Sequence, residues 1–361
     1  MKGKGMCCIK EEIRKLSYNK VLIAFLTICL LFNAGVILAS SNTSSELKTI
    51  LQDYQPQSGK EIFKDIDGSG LGSMYYDERY IDSHILVALM HEKYQKLELP
   101  IEQLAKEQAD LSTYAGELTP YVHRALFEYL TKAIMIEGIL LFTFLVLETF
   151  FMEQHNKTLY TVYSSLRGRR IVFDKMFSVL LIGMLGMVIL SCLSYFAFFQ
   201  IWDFEKIWDA NVASSFNYIT DSDEPFLWKP FITWTSFTVK QYFCATLVLM
   251  VGIWLAWWLL SMMTVLVNKR ISVAIGILAG GLIIPFFGLI LFRQLPELPE
   301  LYCLNTFSIT VNVYYSHMWF TDQGYHTILP WQETLSVILH LVLGLLGVFV
   351  GYHVFRRKDV C

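Results

Sequence analysis

Charge is scarce in this chain. Of its 361 residues only 17% are Asp, Glu, Lys or Arg, where a water-soluble domain carries about 25%. That deficit excludes an ordinary soluble fold and points to lipid as the solvent. A basic excess is lacking too: the formal net charge is -3, which argues against nucleic acid as a partner. The chain has 7 cysteines but no C-x-x-C pair. Cys29, Cys192 and Cys244 lie in apolar runs, and Cys7, Cys8 and Cys361 lie near the chain ends. Neither a zinc ribbon nor a disulfide framework fits that distribution.

Catalytic signatures are missing as well. A phosphate-cradling loop needs G-x-x-x-x-G-K-[ST], and Gly59-Lys60 is followed by Glu61. His91-Glu92 has Gln95 where a zinc peptidase helix needs its second histidine. No G-x-S-x-G elbow occurs. The chain reads as a non-enzyme that binds no cofactor of its own.

What is abundant is apolar: 54% hydrophobic residues, 15% aromatic and a mean hydropathy of +0.44. A bilayer core takes roughly 20 apolar residues per helix. Six runs qualify, at 21–39, 133–152, 176–201, 243–267, 271–292 and 335–355. The first lacks the cleavage context of a signal peptide. Lys2, Lys4, Lys10, Arg14, Lys15 and Lys20 share one set of flanks with Lys157, Arg167, Arg169, Arg170 and Lys175. Lys269, Arg270, Arg356, Arg357 and Lys358 join them. That set holds about 16 basic and about 5 acidic residues, against about 13 and about 25 opposite, so both chain ends are expected in the cytoplasm. The expected fold is an all-α integral membrane protein. It has six transmembrane helices, N-in and C-in, with a small mainly helical extracellular domain between helices 1 and 2.

That domain, 40–132, shows helical apolar spacing at Leu86, Met90, Leu97 and Leu104, with Pro100 and Pro120 as helix starts or breaks. Asp65, Asp67 and Ser69, followed by Gly70, imitate the first half of a calcium-binding loop. Position twelve is Tyr76 instead of the required glutamate, so a Gly-rich turn is the reading preferred over a metal site. Segment 202–242 reads as interfacial, and 293–334 as containing a re-entrant or interfacial helix. Trp202, Trp208, Trp228, Trp234, Trp319 and Trp331 all fall at the external ends of the spans. Trp254, Trp257 and Trp258 lie mid-span on one helix face, where helix packing and stacking on an apolar substrate are both open. Ionisable groups within spans receive a functional hearing by default. Glu137, Glu148 and His353 lie toward span ends, where snorkelling or local pairing accounts for them. His340 is deeper, with a hydrogen bond to a neighbouring helix or a proton relay as its two readings.

The basic loop after the second span carries the most specific pattern. Glu153 ends the helix, Thr158-Leu159 follows, then Gly168-Arg169, and Lys175 opens the next helix. This order resembles the cytoplasmic signature of ABC-2-type permeases, with Leu166 where a proline is common in that family. The segment 8–20 resembles the family's amphipathic elbow helix, and the tail after Phe355 its basic ending. The resemblance implies a permease subunit of an ATP-driven exporter in a plasma membrane, of bacterial type. It implies a homodimer or heterodimer with a related permease, and a separate ATPase subunit that binds ATP and Mg. It further implies an amphipathic or hydrophobic cargo such as a peptide, drug or lipid. Glu153, Thr158, Leu159, Val162, Tyr163, Arg167, Arg169, Arg170 and Lys175 would form the ATPase-coupling element. Trp254, Trp257, Trp258 and His340 would line the path. The alternative is a non-transporting sensor whose extracellular domain binds a ligand.

Overall fold

The computed structural model describes residues 2–50, 68, 83–106, 119–156, 170–205, 207–213, 231–268, 270–295 and 298–357. Among these there is no β-sheet, only isolated bridges between Asn211 and Thr238 and between Thr233 and Thr321. Six helices are long and apolar enough to cross a membrane: Lys20–Ser41, Tyr121–Glu153, Ile171–Ile201, Val239–Val267, Ile271–Phe292 and Gln332–Arg357. We call the end of this bundle that carries Arg14, Lys15, Arg170 and Arg356 the basic end, and the opposite one the cap end.

Helix α1 (Lys2–Ser17) is amphipathic. Glu12 and Leu16 are buried while Glu11, Arg14 and Lys15 face outward. It ends at Tyr18-Asn19, where the Asn19 side chain accepts the Val21 N–H at 2.8 Å and so caps α2 (Lys20–Ile50). An exposed pair, Arg14–Glu11, rims the outer face. The inner face lies against α6 (Ile171–Ile201).

At the cap end, helix α3 (His84–Lys106) runs straight through Pro100 instead of breaking there. Proline removes one backbone donor, and the carbonyl left over belongs to Lys96, which is exposed and open to water. Met90, Tyr94, Leu97, Ile101 and Leu104 bury one stripe of α3 against Ala213 and Ile232. The second span begins well before its apolar run. Helix α4 (Thr119–His123) leads through a π-helical stretch, Arg124–Thr131, into α5 (Lys132–His155). Arg124, Glu128 and Lys132 recur every fourth residue; Arg124 and Glu128 pair at 2.9 Å while Ala125, Leu126, Phe127 and Leu130 face the core.

The spans pack through small residues, as helices in lipid must, since water gives no drive to associate there. Helix α11 (Gln332–Arg357) presents Gly344, Gly347 and Gly351 to Leu259, Met263 and Leu266 of α7 (Val239–Val267). A Cβ at Gly344 would stand 2.7 Å from that of Leu259. Gly138 of α5 sits under the Trp254 ring, and Gly183 of α6 under Phe142. Helix α8 (Ile271–Arg293) is more loosely held, with Ile284, Phe287 and Ile290 exposed.

After α8 the chain turns back. Helices α9 (Pro299–Thr306) and α10 (Ile309–Tyr314) run along α8 toward its middle. Pro285 has no N–H for the Gly281 carbonyl, and the Thr310 hydroxyl donates to that oxygen at 3.5 Å. Asn305 donates to the Pro285 carbonyl at 2.9 Å. Gly281 lies 12 residues before Arg293, about 18 Å along the helix axis. The excursion therefore folds back along the fifth span.

Candidate functional site

The second and third spans are tied at the basic end. The Lys175 ammonium lies 2.8 Å from Glu153 Oε2, with the two side chains 1% and 5% exposed. It also donates to the Thr149 carbonyl at 2.9 Å and stands over the Phe150 ring. A cation near a helix C-terminus meets the negative end of the peptide dipoles, so Lys175 answers both the carboxylate and the helix. Glu148, one turn before Glu153, accepts from Asn19 at 3.4 Å. Asn19 and Lys175 thus fix α1, α2 and α6 to the end of α5. Arg170 precedes α6 and is exposed. Thr158, Leu159, Val162, Tyr163, Arg167 and Arg169 lie outside the described residues, as do Asp65, Asp67 and Ser69. No cluster of His, Cys, Asp or Glu suited to a metal occurs among the described residues.

The mid-span tryptophans are packed. Trp254 is buried and donates its indole N–H to the Met135 carbonyl at 3.2 Å; Trp257 donates to Thr143 Oγ1 at 2.8 Å. Both rings belong to the contact between α5 and α7. Trp258 is half-buried, with its N–H enclosed and unpartnered. His340 is half-buried and bonds through Nδ1 with the Ser336 carbonyl of its own helix at 2.8 Å, not with a neighbouring one.

Several polar residues that periodicity and motif missed are buried and bonded at the cap end. The Lys93 ammonium donates to Asp322 Oδ1 at 2.7 Å and to the carbonyls of Gly324 and Thr327, each at 2.8 Å. Lys93 is wholly buried and Asp322 nearly so. Burial pushes the Lys93 ammonium below the ordinary lysine range and Asp322 opposes that shift. Three acceptors on three ammonium protons are the surroundings of the charged form. Sequence held one signal: Lys93 falls on the stripe of Met90 and Leu97, where a lysine demands a partner.

Close by, Glu333 Oε1 accepts the Phe320 N–H at 3.2 Å, and Phe320 adopts a positive φ of 60°. The strain is held by aromatic packing against Phe237, Tyr242 and Trp331. Trp319 is fully buried and donates to the Asn312 carbonyl at 3.0 Å, so it is a core residue of the cap. His317 is pushed down to about 4 by burial, with the Lys132 cation adding to the shift. It stays neutral at ordinary pH.

A third polar group lies within the bundle. Asn33 of α2 donates to Glu137 Oε2 of α5 at 3.0 Å and to Ser194 Oγ of α6 at 3.1 Å. Glu137 is buried and is held by this bond to Asn33. No known protein family, curated protein or solved structure matches the chain.

Proposed function

We propose that the chain is the transmembrane permease subunit of an ATP-driven exporter of the ABC-2 type. The observation that carries this reading is the buried Glu153–Lys175 pair. It closes the two ends of segment 154–174 onto adjacent spans, so that a force applied to that segment reaches two helices together. The order of Glu153, Thr158-Leu159, Gly168-Arg169 and Lys175 supports the same reading, as does the amphipathic α1 lying along α6. In this reading the basic end faces the cytoplasm and the cap end is extracellular. A separate ATPase binds ATP and Mg, the permease pairs with a second copy or a relative, and the cargo is amphipathic or hydrophobic. The membrane is the plasma membrane of a bacterium.

A second reading has its own support. The Lys93–Asp322 pair pins α3 to the loop before the sixth span. A ligand held by the extracellular segment would act on that span, as a sensor requires. Affinity purification of the tagged chain from its native membrane separates the two. Stoichiometric recovery of an ATPase whose hydrolysis the chain stimulates supports the permease. Recovery of a kinase without an ATPase supports the sensor and overturns it.

A further inference from the structure

Glu137 occupies an unusual place. It stands 11 positions before Glu148, the residue that meets Asn19 at the basic end, which is about 16 Å along the helix axis. From the other side it stands 5 positions after Lys132, about 7.5 Å, so it lies within the apolar run toward the cap end. No cation pairs with it among the described residues. The groups that reach it come from α2 and α6: the Asn33 amide, itself 1% exposed, the Cys29 thiol, and Ser194 through Asn33. From α7 the Trp254 ring packs over the adjacent Gly138 and carries no charge. Among the described residues, Cys29 is the titratable side chain that acts on it. The nearest charged side chains of α6, Asp174 and Lys175, belong to the basic end.

Both hydrogens of the Asn33 amide are spent, one on Glu137 Oε2 and one on Ser194. Two buried acceptors, Glu137 Oε1 and Asn33 Oδ1, make no hydrogen bond, and the weakly donating Cys29 thiol is the other group beside the carboxyl. They sit on the same two side chains that are already joined by the other half of their functional groups. A carboxylate cannot satisfy either, because it has no hydrogen to give. A carboxylic acid satisfies both at once. Its O–H donates to Asn33 Oδ1 while its carbonyl oxygen accepts from Nδ2, closing the acid–amide ring. Exchanging the amide's oxygen and nitrogen, which are assigned and not observed, gives the same ring with the proton on the other carboxyl oxygen.

We infer that Glu137 and Asn33 form a proton-binding site inside the bundle, with Glu137 held as a neutral acid. The bound ligand is a proton and its release would leave a carboxylate facing an amide oxygen in lipid, with no cation beside it. Polar contacts to the second span clip the first at three levels: Asn19 to Glu148, Asn33 to Glu137, and Ser40 through its carbonyl to the Tyr121 hydroxyl at 3.0 Å, with Ser194 and Trp202 adding bonds to Asn33 and Ser40 from α6 and the residue after it. The middle one changes with protonation, so the seating of the first span is proton-dependent. This holds whatever the chain transports.

The test is infrared difference spectroscopy of the full chain in lipid nanodiscs at neutral pH. Wild type minus E137Q should show the loss of one carboxylic-acid carbonyl band per chain. Gln reproduces the ring, so the variant should assemble as wild type does. N33L should shift the same band, since the acid loses its acceptor. No lost band in E137Q, or an unmoved band in N33L, overturns the proposal. On wild-type protein, a hydrophobic carbodiimide, which adds only to a protonated carboxyl in lipid, should modify the peptide containing Glu137. Failure to modify it also overturns the site. Disappearance of the band on adding sodium chloride at constant pH would instead assign the oxygens to a metal cation and overturn the proton assignment.

Discussion

At the scale of single residues, burial decides what a charge does. Glu153 and Lys175, named in sequence as part of the coupling element, form a pair whose side chains are almost closed to solvent. Removing one partner of such a pair costs about 3–5 kcal/mol, because the other charge stays buried and alone. K175M should therefore lower thermal stability sharply in a detergent melt, and E153K should fail to give folded protein by placing two ammonium groups together. The double variant E153L/K175M should recover most of the loss, since apolar replacements of a buried pair are often neutral. Equal melting of all three and the wild type would mean that the pair contributes nothing. The same logic applies to Lys93, whose three acceptors come from one loop and make it the fastener of α3. Its partner Asp322 lies 229 positions away in sequence, which is why no local pattern could have named it.

At the scale of elements, the bundle depends on which helix faces are closed. Gly344 has no room for a side chain, whereas a Cβ at Gly276 would meet nothing within 4 Å. Overpacking costs about 1–3 kcal/mol. G344V should depress the melting temperature and separate α7 from α11, while G276V should melt with the wild type. A reversed order would mean that α8, not α11, supplies the tight contact. The spans themselves were legible in sequence because each is an apolar run of nearly fixed length, and lipid admits few alternatives. The start of the second span was not, since Arg124, Glu128 and Lys132 dilute its hydropathy while lying along one face. The helices α9 and α10 were legible as a short apolar stretch; their seat beside Pro285 was not, because it depends on side-chain bonds to two carbonyls of α8. The mid-span tryptophans were legible as a face, and the glycine and threonine opposite decide that Trp254 and Trp257 pack there.

At the scale of the whole molecule, the proposed exporter needs the two ends of the bundle to do different work. The basic end has a helix lying along a span, a buried ion pair and the segment that joins the second and third spans. The cap end has a sealed polar and aromatic roof, fastened by Lys93. A partner that hydrolyses ATP is expected at the first, so in a cysteine-free background a cysteine at Lys157 should resist a membrane-impermeant maleimide in intact cells, and one at His91 should react. Labelling at Lys157 would reverse the orientation and remove the ATPase from reach. If the orientation holds, Leu159 and Tyr163 are the residues to change, because they offer an aliphatic and an aromatic contact surface beside the basic Arg167, Arg169 and Arg170. Asp at both positions removes apolar contact from an interface and adds charge that must be desolvated on binding, which at a central contact costs 2 kcal/mol or more, about thirtyfold in affinity. The Glu153–Lys175 pair is untouched by these changes, so the permease should fold, insert and melt normally while losing its ATPase in a pull-down. Retention of the ATPase at wild-type levels by L159D/Y163D would leave the segment as a plain connection between two spans, and the exporter reading would lose its residue-level support.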